Sequence, residues 1–371
     1  MPPRPTATPT TLVLGAAGFL GRWLTLELLA QGHPVAAATT TPASAAALRD
    51  WLHAHQADTT SLTTLQADLT HPTLALTPEA DAALRSVRDV HNLAARYRFG
   101  LSRPEAQAAN TDGPVHALHW AARLPELRRF VHLSGYRIST ATPVPHPLPS
   151  AEATRLYRKL GAYEASKRAG DSAVRTLAPQ LGVPLSVVSP GVVIGHSVTG
   201  EAGQYIGLAP LVERLWRGRL PVLPATPRTF LPVVAVDHLA RFLAAVPSHD
   251  HAQHSHHAAA TPNTAPTSRH TVLDPATPAL PALVDLLADH LGVPAPRRTV
   301  PVGLVRYLPS RLTGLDAESL SFLSEDRYDT TSADRLAAAA GLTHPPVADL
   351  LRRWATRLVA EDFGASIGPT P

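Results

Sequence analysis

The sequence predicts an α/β fold: a doubly wound parallel sheet with a smaller, mostly helical C-terminal cap that holds the substrate. Three observations carry this. Thr11–Leu14 is a short apolar, partly β-branched run, and three glycines and a helical-period segment follow it at once. Further short apolar runs then alternate with helical segments as far as about residue 195. The remaining chain is richer in helix than in strand and is set off by Pro-rich stretches at 141–149 and 261–283. The expected divisions are a disordered tail over 1–10, a core over 11–195 to which 230–246 returns, a cap over 196–229 and 270–363, and a flexible loop over 247–269.

The first strand is followed by Gly15, Gly18 and Gly21, and then by Leu20, Trp23, Leu24 and Leu28 at helical spacing. Gly15 lets the chain turn at the strand end, Gly18 leaves room for a diphosphate against the backbone, and Gly21 lets the helix approach the strand. The first amides of that helix, at Phe19, Leu20 and Gly21, then face the phosphates with the positive end of the helix dipole. The alternative is a tight turn that binds nothing. Gln31-Gly32-His33-Pro34 stops the helix, and Val35–Ala38 reads as a second buried strand. No carboxylate follows it to hold ribose hydroxyls; Thr39, Thr40, Thr41 and Ser44 stand there instead. With Arg22 just past the third glycine, a phosphate on that ribose would be welcomed, which favours NADP(H) over NAD(H).

A third strand is expected over Leu62–Leu69, with Asp68 and Leu69 at its end beside an adenine; an ordinary turn Asp is the competing reading. The fourth, Val87–Ala95, ends in small residues, so that Ala94 lets a flat cofactor lie close. A helix over 104–123 carries Asn110, and a fifth strand, Phe130–Leu133, delivers Ser134 to its C-terminal end. Residues 137–156 read as a Pro-rich loop, and a helix from about Leu160 to Leu177 follows. Leu185–Ser189 is a sixth strand, followed by Pro190, Gly191, Val192 and Val193. The segment 196–230 carries one helix near 208–217, Phe230–Val236 returns as a strand, and Asp237 caps the next helix. A strand near 271–273 and helices near 280–291 and 346–361 complete the cap.

Composition narrows the function. The 371 residues are 44% hydrophobic, enough for a full core. With no cysteine, disulfides, thiol nucleophiles and cysteine-bound zinc are excluded. The formal charge is only +4 and no basic stripe with interleaved aromatics occurs, which argues against nucleic acid. No apolar run is long enough for a membrane span and no signal peptide precedes the first strand, so a cytoplasmic protein is expected. His249, His251, His254, His256 and His257 lack acidic or spaced partners, and no metal site is expected.

Arginine supplies nearly all the basic positions; the only lysines are Lys159 and Lys167. Lys167 lies one helical turn after Tyr163, on the same face. A phenol with a pKa near ~10 is a poor acid–base group at neutral pH. An ammonium one turn away, and a positively charged oxidised nicotinamide, both favour the phenolate and lower that pKa. Ser134 would hydrogen-bond a substrate oxygen as charge develops on it, unless it merely caps the next turn. Asn110, an unfavourable residue in mid-helix, would support a proton path to Lys167, or is simply an exposed helix residue.

GAAGFLG (15–21), ADL (67–69), NLAA (92–95), Asn110 in AANTDG, Ser134 in VHLSG, YEASK (163–167) and SPGVVIG (189–195) occur in this order. In these motifs the chain resembles the extended short-chain dehydrogenase/reductase superfamily over residues 11–240. The resemblance implies a Rossmann-type sheet, a nicotinamide cofactor and an Asn110–Ser134–Tyr163–Lys167 tetrad. It also implies that Lys167 binds the ribose and that Pro190, Val192 and Val193 pack near the nicotinamide carboxamide. GFLGRWL and SPGVVIGHSVTGE look most like the thioester reductase and fatty acyl-CoA reductase branch, which uses NADPH on carrier- or CoA-bound acyl groups. Leu14 stands where that branch usually has Thr, and Gly135 where Thr is common.

The leading expectation is therefore NADPH-dependent hydride transfer to a carbonyl of an acyl thioester, aldehyde or ketone, with Tyr163 as general acid. A nucleotide-sugar epimerase or dehydratase with tightly bound NAD is the second reading. Gly135-Tyr136-Arg137, where dehydratases often carry acids after the serine, argues against it. A non-catalytic dinucleotide sensor is the third. No motif fixes the oligomeric state, and a homodimer is compatible with all three.

Overall fold

The computed structural model describes residues 7–96, 100–257, 265–305 and 322–365. Residues 1–6 of the expected tail, 258–264 of the expected loop and 306–321 of the expected cap lie outside them. The described chain runs β1 (Thr11–Leu14), α1 (Phe19–Ala30), β2 (Val35–Thr39), α2 (Pro42–Ala54), β3 (Leu62–Gln66), α3 (Pro78–Ala83) and β4 (Asp89–Asn92). Then come α4 (Arg103–Gln107), a π-helical turn (Ala108–Asp112), α5 (Gly113–Ala121), β5 (Arg129–Leu133), α6 (Tyr136–Ser139), α7 (Ser150–Gln180) and β6 (Leu185–Pro190). After β7 (Val192–Ile194) follow α8 (Ala209–Trp216), β8 (Val222–Pro224), β9 (Val233–Ala235), α9 (Val236–His257), β10 (Thr267–Val272), α10 (Leu280–Leu291) and β11 (Arg298–Val300). Helices over Thr331–Ala339 and Val347–Ala360 lie nearer the C-terminus.

The sheet has seven strands in the order β10-β6-β5-β4-β1-β2-β3. Strands β1 to β6 pair in parallel. The strand order reverses between β1 and β4, where Leu14 stands beside Asn92. Just beyond that pair lies the crevice in which sheets of this kind bind their ligands. β1 and β2 are buried at every position, as strands covered on both faces by helices must be.

By internal contacts the chain divides into two compact units. The first comprises the residues up to Ser189 together with Ala240–Thr271 and Ser332–Ala340. Its core packs Leu12, Leu14, Val90, Leu118, Phe130, Val174 and Leu185. The second comprises Pro190–Leu239, Val272–Thr331 and the chain from Gly341 onward. It has a core of its own, including Ile194, Leu215, Leu283, Leu287, Leu351, Trp354 and Leu358, and the two-stranded pairings β7-β9 and β8-β11. The division departs from the expected boundaries: 190–195 and 230–239 group with the second unit, and 332–340 with the first.

Several expected elements change. β3 ends at Gln66, because the Asp68 backbone N–H turns away to the Leu74 carbonyl. The helix expected over 104–123 is interrupted by the π turn. The loop expected over 137–156 contains α6 and the first turns of α7, which is itself broken at Gly161 (φ 79°, ψ 171°), a conformation that suits glycine. The strand expected over 230–236 is only Val233–Ala235, since Pro232 has no N–H to pair. Asp237 lies in the first turn of α9, and its carboxylate accepts hydrogen bonds from the Ser197 N–H (2.9 Å) and hydroxyl (2.7 Å), so it ties down a neighbouring segment. Residues 247–257 are not loop but the end of α9, and 267–269 begin β10. The buried Asp250 anchors that end of α9 through His270 of β10, a long-range tie that a His- and Ala-rich composition hides.

Candidate active site

The turn after β1 is shaped by close approach. Gly15 has φ 79°, and a Cβ there would stand 2.9 Å from the backbone of Ala94. A Cβ on Gly21 would stand 2.1 Å from the Gly15 carbonyl oxygen, which is why α1 can lie against the turn. At the exposed Gly18 the nearest such contact is 3.3 Å, to the Gly15 carbonyl oxygen, a tight approach but no clash. The N-terminus of α1 has no side-chain cap and no acidic residue in its first turn. The amides of Phe19, Leu20 and Gly21 therefore remain available to an anion.

Arg22, in the first turn of α1, reaches the later turns of α2: its guanidinium carbon is 4.8 Å from the ring centre of Trp51 and 5.9 Å from that of Phe19. Thr39 is buried, and its hydroxyl donates to the carbonyls of Thr41 (3.3 Å) and Leu65 (3.4 Å). Thr41 and Ser44 cap α2 reciprocally, and the first turn of α2 carries no acid. Asp68 forms a turn: Oδ1 accepts from the Thr70 hydroxyl (2.7 Å) and N–H (2.9 Å), bonds that hold its carboxyl below the ordinary value. Leu69 offers its carbonyl to His116 Nδ1 at 2.8 Å.

The second cluster sits at the ends of β5 and along α7. The Ser134 N–H donates to the Val188 carbonyl at 2.8 Å, which continues the β5–β6 ladder and fixes the residue at the strand end. Its side chain is only 7% exposed, and Oγ is buried without a hydrogen-bond partner. An unmade bond of this kind costs about 1–3 kcal/mol, which any group that bonded the hydroxyl would recover. Lys167, 5% exposed, donates from Nζ to the Leu133 carbonyl at 2.9 Å, next to Ser134. Burial lowers its pKa to about 8, against the opposing pull of Asp171. Tyr163 lies one turn earlier and is half-buried. The break at Gly161 makes the following residues a new helix start, so Tyr163 falls in a first turn, where the dipole's positive end stabilises negative charge.

Asn110 is brought to α7 but not to Lys167. Its Oδ1 accepts from the Arg96 N–H (2.8 Å), and its Nδ2 donates to the Arg96 carbonyl (3.1 Å) and to Ser166 Oγ (3.2 Å). Ser166 Oγ in turn donates to the Tyr163 carbonyl at 2.9 Å. Asn110 thus clamps the segment after β4 to the helix that carries Tyr163, and the π turn gives it the required direction. A Cβ on Gly170 would stand 2.1 Å from the Asn110 carbonyl oxygen, so the glycine admits this contact.

Sequence reasoning missed Ser166, Gly170, the Arg96 backbone and His132. Burial and then the charge of Lys167 lower the His132 pKa to about 3, which keeps a neutral ring beside the ammonium. The ion pair Arg137–Glu164 (3.2 Å) flanks Ser134 and Tyr163 in sequence; an Arg just after VHLSG and a Glu inside YEASK were its only signal. Pro190, Val192 and Val193 belong to the second unit, where β7 pairs with β9. Among the described residues no group of three or more His, Asp or Glu is arranged to hold a metal ion, and no helix is long and apolar enough to cross a membrane.

Residues 13–243 match the family described as "Male sterility protein", an NAD-binding family. Among characterised proteins, the chain is 29% identical over 128 residues to dihydroflavonol 4-reductase of Callistephus chinensis. That match spans 34% of each chain, so it reaches only about a third of the relative's length. Among solved structures, the terminal R domain from the myxalamid PKS-NRPS biosynthetic pathway superposes with a TM-score of 0.70 at 19% identity, over 97% of this chain and 93% of that one. UDP-glucuronic acid 4-epimerase from Bacillus cereus gives 0.62 at 14% identity, over 94% and 99%. At these identities the two structures establish the fold, a Rossmann-type sheet. The family match covers most of the chain: the protein belongs to the male sterility protein family of NAD(P)-dependent oxidoreductases, within the extended short-chain dehydrogenase/reductase superfamily.

Proposed function

We propose that the protein is an NADPH-dependent reductase of carbonyl compounds, with an acyl thioester, an aldehyde or a ketone as substrate class. The observation that carries this reading is the unpartnered Oγ of Ser134 beside the buried ammonium of Lys167, with Tyr163 one helical turn away. The chain fits a dinucleotide: the turn Gly15–Gly21 has the exposed Gly18 and an uncapped helix N-terminus for a diphosphate. When bound, the nicotinamide supplies the hydride.

In this mechanism Ser134 Oγ donates to the substrate oxygen and steadies it as negative charge develops. Tyr163 delivers the proton to that oxygen. Lys167 stabilises the phenolate left behind, and its contact with the Leu133 carbonyl keeps the ammonium fixed at the strand end. Asn110 acts through position, by holding the helix of Tyr163 against the π turn. Ala94 would line the flat face of the cofactor.

The preference for NADPH rests on Arg22, which stacks on Trp51, and on the absence of a carboxylate between Thr39 and Ser44. Fluorescence titration with NADPH and NADH tests the assignment. Tighter NADPH binding, reduced about tenfold or more in Arg22→Ala, is expected, since a charge-assisted hydrogen bond contributes about 1.5–3 kcal/mol. A preference for NADH, or protein that retains NAD and consumes none, would transfer the assignment to the epimerase class.

A further inference from the structure

The first unit contains a second cluster of catalytic character that the reductase reading does not use. Asp250, in the later turns of α9, is 0% exposed, and His270, on β10, is 3% exposed. His270 Nε2 stands 3.0 Å from Asp250 Oδ2 and 3.2 Å from Oδ1, while Nδ1 stands 2.9 Å from the hydroxyl of Ser332. Ser332 is exposed and lies in the first turn of the helix Thr331–Ala339. The Ser186 hydroxyl donates to Asp250 Oδ2 at 2.5 Å, and the Phe242 ring stands edge-on to His270 at 5.7 Å.

The bonds assign the roles. Burial alone would raise the Asp250 carboxyl, but the hydrogen bond from His270, the charge His270 carries when protonated, the hydrogen bond from Ser186 and the charge of Arg129 outweigh it and hold the group below its ordinary value. An ionised Asp250 accepts, so the proton of a neutral His270 sits on Nε2. Nδ1 is then a bare acceptor that faces the Ser332 hydroxyl. Nucleophile, base and orienting carboxylate stand in series, the arrangement by which a serine hydroxyl is activated. The Ser332 and Ala333 amides lie in the first helical turn and have no intrahelical acceptor. Anchoring the helix does not require this chain of groups, because Leu336 and Ala333 already bury its apolar side. A hydroxyl open to water also adds little to an anchor.

We infer that Ser332, His270 and Asp250 form a second site, which takes acyl esters or thioesters by acyl transfer to Ser332 Oγ. The oxygen–carbon bond forms at the acyl carbonyl as the hydroxyl proton passes to His270 Nδ1. The carbon–oxygen or carbon–sulfur bond then breaks, and the leaving alcohol or thiol takes that proton. Water attacks the acyl-serine, gives a proton to His270, and releases the carboxylic acid with Ser332 restored. No electrons change hands, so this activity is independent of the nicotinamide.

The full-length protein treated with an alkyl fluorophosphonate, followed by peptide mass mapping, tests the site. One adduct on Ser332 is expected, with labelling at least tenfold slower in His270→Gln. Tyr163→Phe should label like the wild type, and Ser332→Ala should keep full NADPH-linked activity while losing slow hydrolysis of p-nitrophenyl acetate. If His270→Gln does not fold, the labelling rate of Asp250→Asn decides, and it too should fall at least tenfold. No adduct at Ser332, an adduct elsewhere only, or labelling at the wild-type rate in folded His270→Gln or Asp250→Asn would each overturn the inference.

Discussion

Between Gly15 and Gly21 no polar side chain takes part in the site; the surface offered to a diphosphate is backbone, shaped by how closely α1 approaches β1. Around Lys167 the reverse holds. In the proposed mechanism Ser134, Tyr163 and Lys167 act through side-chain atoms, and Asn110, Ser166 and the Leu133 carbonyl hold that segment from behind. The turn therefore tolerates no added carbon on its inner side but has few partners to lose. The side-chain cluster tolerates small changes of shape but loses chemistry with any single group. Stability and activity should part company between the two regions.

The largest effect is expected where the backbone approach is closest. Gly21→Ala sets a carbon 2.1 Å from the Gly15 carbonyl oxygen, and thermal unfolding should show a loss of about 3 kcal/mol or more. Gly18→Ala, with 3.3 Å to the same atom, should stay folded and lose dinucleotide affinity in a titration. Equal stability of the two variants would break the comparison. Ser134→Ala should do the opposite of Gly21→Ala: kcat falls about 100-fold, while stability holds or rises, because a buried unpaired hydroxyl disappears.

The pH dependence sharpens the contrast further. Lys167 has a folded pKa of about 8 against an ordinary 10.5, so the unfolded chain binds the extra proton between those values. Stability without cofactor should therefore rise with pH across that window, while turnover falls as the ammonium beside Tyr163 is lost. Denaturant titrations and rate profiles from pH 7 to 10.5 check both signs. The smallest effect concerns His91, whose ring nitrogens are both buried without partners and whose pKa burial lowers to about 4. The unfolded chain takes up that proton below 6.5 and the folded chain does not, so stability falls as pH drops from 6.5 through 4. His91→Leu should gain about 1 kcal/mol at neutral pH and flatten the acid limb of the stability curve.

The same contrast explains what was legible in the sequence. The strand–glycine–helix turn could be read because each requirement is local: Gly15 turns the chain, Gly21 admits the helix, and the apolar period shows both neighbours. Tyr163 and Lys167 were legible because they share one helix. The clamp behind them was not, because Asn110 meets Ser166 across 56 residues and depends on a π turn that no residue period announces. Gly161 was passed over because a helix break there shows only in the backbone angles. The end of α9 looks like loop in the sequence for a similar reason, since it is fixed by the pairing of Asp250 with His270, 20 residues on. Thr39 was placed on the cofactor from its position at a strand end, yet its hydroxyl is used inside the protein.

The most direct measurement follows deuterium from NADPH labelled at the transferable position of the nicotinamide, with acyl thioesters, aldehydes and ketones offered in turn. The account predicts deuterium on the former carbonyl carbon of a reduced product, one NADPH consumed per hydride transferred, and a loss of about 1,000-fold in rate in Tyr163→Phe, with cofactor affinity unchanged. Deuterium that stays with the cofactor while a sugar nucleotide changes configuration, or wild-type turnover in Tyr163→Phe, would contradict it.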